Sequence, residues 1–167
     1  MKTKKTEFLL NELASAPNEF ERISQRFPKD QLNWKPQSWE GIPSETFSAL
    51  EQICHLRDIE IDGYQVRFRR IVSENYPTLG SIDGYELAEK RQYQRQNIDI
   101  VLNEFRRARN QTIEMIKDFS ATDFQRKGVF EGYDEVTLLS LLYFLRSHDW
   151  QHLSGLSWLL GKLEAED

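Results

Sequence analysis

The chain has 167 residues, of which 39% are hydrophobic and 29% charged, with 8 Gly and 5 Pro. That is the make-up of one globular domain, residues 1–167, and it excludes a disordered or low-complexity chain. Its 22 Lys and Arg against 27 Asp and Glu leave a net charge of −5, which speaks against a duplex nucleic acid as partner. One cysteine excludes an internal disulfide and a Cys-rich zinc module, and it fits a reducing cytoplasm.

Residues 6–26 carry Phe8, Leu9, Leu13, Phe20 and Ile23 at helical spacing, with a kink or a fresh start expected at Ala16-Pro17. The apolar stretch after the N-terminal lysines is too short for a signal core. A loop with three prolines and two tryptophans follows (27–45), aromatic enough to pack across the helix ends. Ser44, with Glu45 and Phe47 behind it, reads as the N-cap of a second helix over 44–72. Its inward row is Phe47, Leu50, Cys54, Ile61, Tyr64, Phe68 and Ile71; a second row, Ile59 and Val66, lies on the opposite side. A long connection, 73–91, leads to a third helix over 92–118, and a turn around Gly128 and Gly132 leads to a fourth over 134–163. No convincing period-two run occurs, so strands are absent or marginal. The greasiest run, Val136 to Leu145, falls far short of the ~20 residues a membrane span needs. The pattern predicts an all-α four-helix bundle with long loops after helices 1 and 2.

Most chemical signatures are missing. There is no GxGxxG and no GxSxG, and the spacing from Gly155 to Lys162, inside an apolar helix, fails as a phosphate loop. The residues three before each histidine are Gln52, Leu145 and Asp149, which excludes the paired Glu-x-x-His motifs of a di-iron bundle. The clusters at Arg67, Arg69 and Arg70 and at Arg106, Arg107 and Arg109 read as solvated faces with snorkelling stems.

The 3 histidines all fall on predicted helices. His148 and His152 are four apart, hence neighbours on one helix face about 6 Å apart at Cβ, and such a pair can grip one cation. His152 lies on the leucine stripe of helix 4, His148 at its edge. If helices 2 and 4 are adjacent, His55 can join them. Ordinary half-buried histidines are the plain alternative. Asp149 admits two roles, general base or a carboxylate that orients a ligand imidazole. Arg109 and Asp58 read first as members of structural ion pairs, and Tyr85, Trp39 and Trp150 as core packing. Cys54 points about 100° around its helix from His55 and is a poor fourth ligand.

Several stretches taken together resemble the DinB/YfiT-like family of four-helix proteins, including its subgroup known as DinB superfamily metal-dependent hydrolases. They are Leu32-Asn33-Trp34-Lys35-Pro36 through Trp39, His55-Leu56-Arg57-Asp58, Asp83-Gly84-Tyr85, Phe105 to Arg109, and Ser147 to Leu153. The resemblance implies an up-down-down-up bundle in which His55, His148 and His152 bind a divalent metal, zinc or nickel. It also implies that some relatives use a low-molecular-weight thiol as cosubstrate. Three neutral imidazoles leave a position for an anion, a bound hydroxide or a substrate thiolate. The expectation is a divalent-metal-dependent enzyme, transferase or hydrolase, that activates a small thiol or water against a small electrophile. The alternative is a non-catalytic metal-binding or stress-response module. A homodimer would cover the second apolar row of helix 2.

Overall fold

The computed structural model describes residues 4–166. In chain order its helices are α1 (Lys4–Ser24), α2 (Ala49–Asp58), a π-helical segment (Ile59–Tyr64), α3 (Gln65–Ser73), the short α4 (Gly84–Lys90), α5 (Ile98–Asp118) and α6 (Leu138–Leu163). The backbone stays helical from α2 through the π segment into α3, so these three form one rod. Four long rods therefore build the bundle, and α1 and α2 each pack against both α5 and α6. The helices that carry the histidines, α2 and α6, are neighbours.

A small sheet corrects the expectation that strands are absent. Its order is β1 (Thr78–Leu79), β2 (Lys127–Phe130) and β3 (Asp134–Thr137), with β1–β2 parallel and β2–β3 antiparallel. Strands of two to four residues are too short to display a period-two pattern. The hairpin turns at Gly132, whose φ of +85° an L side chain rarely adopts. The connection 73–91, expected as loop throughout, contains β1 and α4, the latter capped by Asp83 accepting from the backbone N–H of Tyr85 and Glu86.

Helix starts move for similar local reasons. α2 begins at a capping box between Ser48 and Glu51 rather than at Ser44. α5 begins after Asn97, whose side chain caps Asp99 and Ile100. α6 begins after Thr137 because residues 134–137 are spent on β3. The tryptophan loop packs as expected, with Trp39 stacked on Trp158 at 6.1 Å. Trp150, expected in the core, is 55% exposed, and Arg146 lies over its ring. Tyr85, also expected in the core, is exposed.

The π segment changes which residues face inward. It inserts extra backbone into the α2–α3 rod, so the helical phase slips at that point. Ile61, expected inside, is exposed, whereas Ile59, expected outside, is buried. The same slip buries Glu60.

α1 is one continuous helix through Pro17, with no fresh start there. Proline has no N–H to give the carbonyl four residues earlier, that of Leu13. Arg109 Nη1 donates to that carbonyl instead, at 3.1 Å. The cost of an interior proline is thus offset by a buried cation.

The apolar core comes in two clusters, one holding Leu13, Ile59, Ile113 and Leu145, the other Ala16, Leu56, Phe105 and Leu156. Between them lies a polar layer drawn from three of the four rods: Glu60, Arg109, Asp149 and the histidines of α6. Arg109 is fully buried and forks onto both carboxylates, at 3.0 and 2.8 Å to Glu60 and 2.7 and 2.9 Å to Asp149. Such pairs stabilise only while every member is present. The basic clusters are therefore not uniformly solvated. Arg67 is buried too, donating to the Gly80 carbonyl and lying 4.4 Å above the Phe130 ring. Asp58 joins Arg57 and Arg91, the ion pairing its sequence context suggests.

Candidate metal centre

The polar layer ends at the three histidines. His148 Nε2 lies 3.2 Å from His55 Nε2 and 3.1 Å from His152 Nε2. One ligand atom from each of the three falls within 4.8 Å of the others. Two donors on a single tetrahedral zinc, each about 2.0–2.1 Å from it, stand about 3.3 Å apart, so the spacing suits one cation.

The hydrogen-bond network sets the tautomer of one ring. Gln52 donates from Nε2 to Ser44 Oγ at 2.8 Å, which turns its Oε1 toward His152 Nδ1, and that nitrogen donates to it. His152 Nε2 is then left with a bare lone pair aimed at the other two rings. His55 Nδ1 is buried without a partner.

Burial keeps the imidazoles neutral. Desolvation, reinforced by the neighbouring His148, pushes the His55 pKa down to about 3. Desolvation together with Arg109 and Arg67 does the same to His148, also to about 3. His152 sits well below its ordinary value for the first reason, with the other two histidines adding to it. Neutral imidazole is the metal-binding form, so no proton has to leave before a cation enters. His55 is 3% exposed and His152 fully buried, while His148 is only half-buried.

Two glycines make room for this arrangement. A Cβ on Gly84, at the start of α4, would stand 2.7 Å from His55 Cε1 and 2.9 Å from its Nδ1. A Cβ on Gly155, one turn beyond His152, would overlap Ser44 Oγ and stand 2.9 Å from Gln52 Nε2.

Of the residues singled out in the sequence, the structure brings His55, His148 and His152 together. Asp149 faces away from them, with both carboxylate oxygens on Arg109. Cys54 points to the Tyr93 carbonyl at 3.9 Å, and burial pushes its thiol up to about 12, so it is no candidate ligand. Sequence reasoning missed Glu45 and Gln52. Glu45 reaches the site from the loop before α2, its Oε2 3.4 Å from His152 Nε2 and its Oε1 3.8 Å from His55 Nε2. Desolvation raises its pKa. No spacing rule reaches a loop carboxylate, but a glycine inside the leucine stripe of α6 was a visible signal. An interior Gly costs ~1 kcal/mol against Ala and asks for a close neighbour to explain it.

A four-rod helical bundle built around a buried three-histidine centre is the class that fold and site define together. The chain belongs to the DinB superfamily, whose family model matches residues 12–155. In overall structure it is similar to YfiT from Bacillus subtilis, a probable metal-dependent hydrolase with an unusual four-helix bundle topology. The two share 15% sequence identity at a TM-score of 0.84, over 98% of this chain and 90% of that one. At that identity the likeness speaks for the fold. No curated protein matches the chain.

Proposed function

We propose that this protein is a divalent-metal-dependent enzyme that uses a three-histidine centre to activate water or a small thiol for attack on a small electrophile. The observation that carries the reading is the convergence of three neutral imidazole nitrogens at 3.1 and 3.2 Å, one of them with its lone pair fixed by Gln52. Zinc or nickel, which imidazole ligands suit, would supply Lewis acidity and a bound water or thiol of lowered pKa.

The chain's own residues do the rest. Gln52 holds the His152 ring in one tautomer. The apolar shell and Arg109 keep the rings uncharged until a cation arrives. Asp149 is tied to Arg109 at both oxygens, so we assign it to holding α6 in place rather than to proton transfer. YfiT's description as a metal-dependent hydrolase supports the water arm of the reading, and the resemblance to thiol-using relatives supports the thiol arm. The up-down-down-up order of the rods, a cytoplasmic location and a low-molecular-weight thiol cosubstrate belong to the same proposal. Among the described residues no helix is long and apolar enough to cross a membrane.

The test is metal content and affinity. Protein purified without chelator should carry about one equivalent of zinc or nickel, and His152→Ala should lose it while keeping its helical content. Full affinity in that variant would overturn the reading. We also propose a homodimer on the α2–α3 rod, although of the expected second row Ile59 is buried in the bundle and Val66 is exposed together with Ile61 instead. Light scattering that finds only a 19.8 kDa species at micromolar concentration would refute it.

A further inference from the structure

We propose that Glu45 is a ligand of the metal, so that the centre is three histidines and one loop carboxylate. The inference rests on the metal-site reading above and adds the anionic donor that the sequence pattern does not disclose.

The argument begins with what faces Glu45. His152 Nδ1 donates to Gln52, so His152 Nε2 carries a lone pair and no proton. Glu45 Oε2 stands 3.4 Å from that nitrogen, buried, and without a hydrogen-bond partner. Its other oxygen is 3.8 Å from His55 Nε2. Two electron-pair donors facing each other inside a protein repel unless a proton or a metal ion lies between them. At 3.4 Å the pair is wider than a direct hydrogen bond from a protonated carboxyl, about 2.5–3.0 Å. The 3.4 Å separation is that of two donors on one tetrahedral ion, about 3.3 Å.

The loop around Glu45 is built to hold it there. On one side, Ser44 Oγ accepts from Gln52 Nε2 at 2.8 Å, tying the loop to the residue that orients His152. On the other, the Thr46 N–H donates to Tyr85 Oη at 3.0 Å, tying it to α4. The Phe47 ring packs against His55 at 5.3 Å. The side chain between these anchors is 28% exposed. Among the described ion pairs no Lys or Arg side chain meets it; the groups it faces are the two neutral imidazoles.

Charge supplies the chemical reason. Three neutral imidazoles leave a divalent ion with its full charge in a low-dielectric layer, and a carboxylate halves it. With Glu45 bound, water or thiol must enter as a further ligand or displace the carboxylate, as catalytic zinc centres allow when they expand to five ligands. Removing Glu45 should therefore weaken metal binding and at the same time strengthen the binding of exogenous anions to the metal.

The experiment is cobalt(II) titration of the full chain, read by its visible d–d bands and by competition with a chelator. Wild type, Glu45→Gln, Glu45→Ala and His148→Ala are compared, with azide added to each loaded protein. Circular dichroism of the metal-free forms checks that all are folded. We expect His148→Ala to lose binding, and both Glu45 variants to bind about tenfold more weakly or worse. Those two should also show an altered band pattern and take up azide at lower concentration than wild type. If the Glu45 variants keep wild-type affinity, spectrum and azide response while His148→Ala loses the metal, the carboxylate is no ligand and the three-histidine reading stands alone. If folded His148→Ala keeps wild-type affinity, the metal-site reading fails and this inference fails with it.

Discussion

Replacing Gly155 by alanine sets two effects of known size against each other. Gly155 lies in the interior of α6, where alanine is favoured by about 1 kcal/mol on helix propensity alone. Yet the new Cβ would overlap Ser44 Oγ and press on Gln52 Nε2 at 2.9 Å. Neither is the far end of a free side chain, because Gln52 bonds Ser44 on one side and His152 on the other. Overpacking costs about 1–3 kcal/mol. Displacing one buried hydrogen bond costs about 1–3 kcal/mol more. The net expectation for Gly155→Ala is destabilisation of about 3 kcal/mol, a fall of roughly 6–12 °C in Tm for a chain of this size. Metal affinity should fall as well, about tenfold or more, since Gln52 would no longer hold the His152 tautomer. Thermal unfolding with and without zinc measures both, because a bound metal raises Tm by an amount that grows with the logarithm of its affinity. A variant stabilised by about 1 kcal/mol with unchanged zinc response would show that propensity alone acts, and that the packing of Gly155 on Ser44 and Gln52 does not support the site.

Three further outcomes are expected. Arg109→Met leaves Glu60 and Asp149 buried without their cation and should cost about 3–5 kcal/mol in urea unfolding, whereas converting all three residues to apolar ones should recover most of the loss; a single variant as stable as wild type would mean that the network is not a unit. Metal-free protein should lose stability as pH falls from about 6.5 to about 3, because the unfolded chain's histidines take up protons there while folded His55 and His148 do not. The slope is about 1.4 kcal/mol per pH unit for each proton taken up, so stability that stays flat under urea across this window would refute the neutral-imidazole assignment. Gly84→Ala should push the His55 ring aside and weaken metal binding, with little effect on helical content by circular dichroism; unchanged affinity would show that α4 shifts freely to make room.

How far the sequence discloses this molecule depends on length of pattern. α1, α5 and α6 each run for more than twenty residues, long enough for a 3.6 period to stand out, and the helical spacing of His148 and His152 on one face follows from the same period. The strands are hidden because four residues show no period. The α2–α3 rod misleads in a more instructive way. Its apolar row stays in phase only up to the π segment, after which a regular helix would bury Ile61 and expose Ile59, the reverse of what occurs. Glu45 and Gln52 are invisible for another reason. One sits on a loop and the other is a polar residue on a helix, and only the fold brings either to the histidines.

The π slip, the proline in α1 and the glycine in α6 are each, taken alone, a local fault in a helix. In the polar layer each has a counterpart. The slip turns Glu60 inward to meet Arg109, the proline frees the Leu13 carbonyl that Arg109 also takes, and Arg109 fixes Asp149 between the two ligand histidines of α6. The glycine lets Gln52 reach His152. Arg109 thus joins α1, the π segment, α5 and α6 through one guanidinium, and the positions of His148 and His152 depend on it. A bundle held only by apolar faces tolerates small sliding between helices, whereas a fork with fixed geometry at its centre does not. Donor atoms that must meet within a few tenths of an ångström call for that second kind of restraint. By this reasoning Arg109→Lys, which keeps the charge and loses the fork, should weaken metal binding by a larger factor than its loss of global stability alone would give.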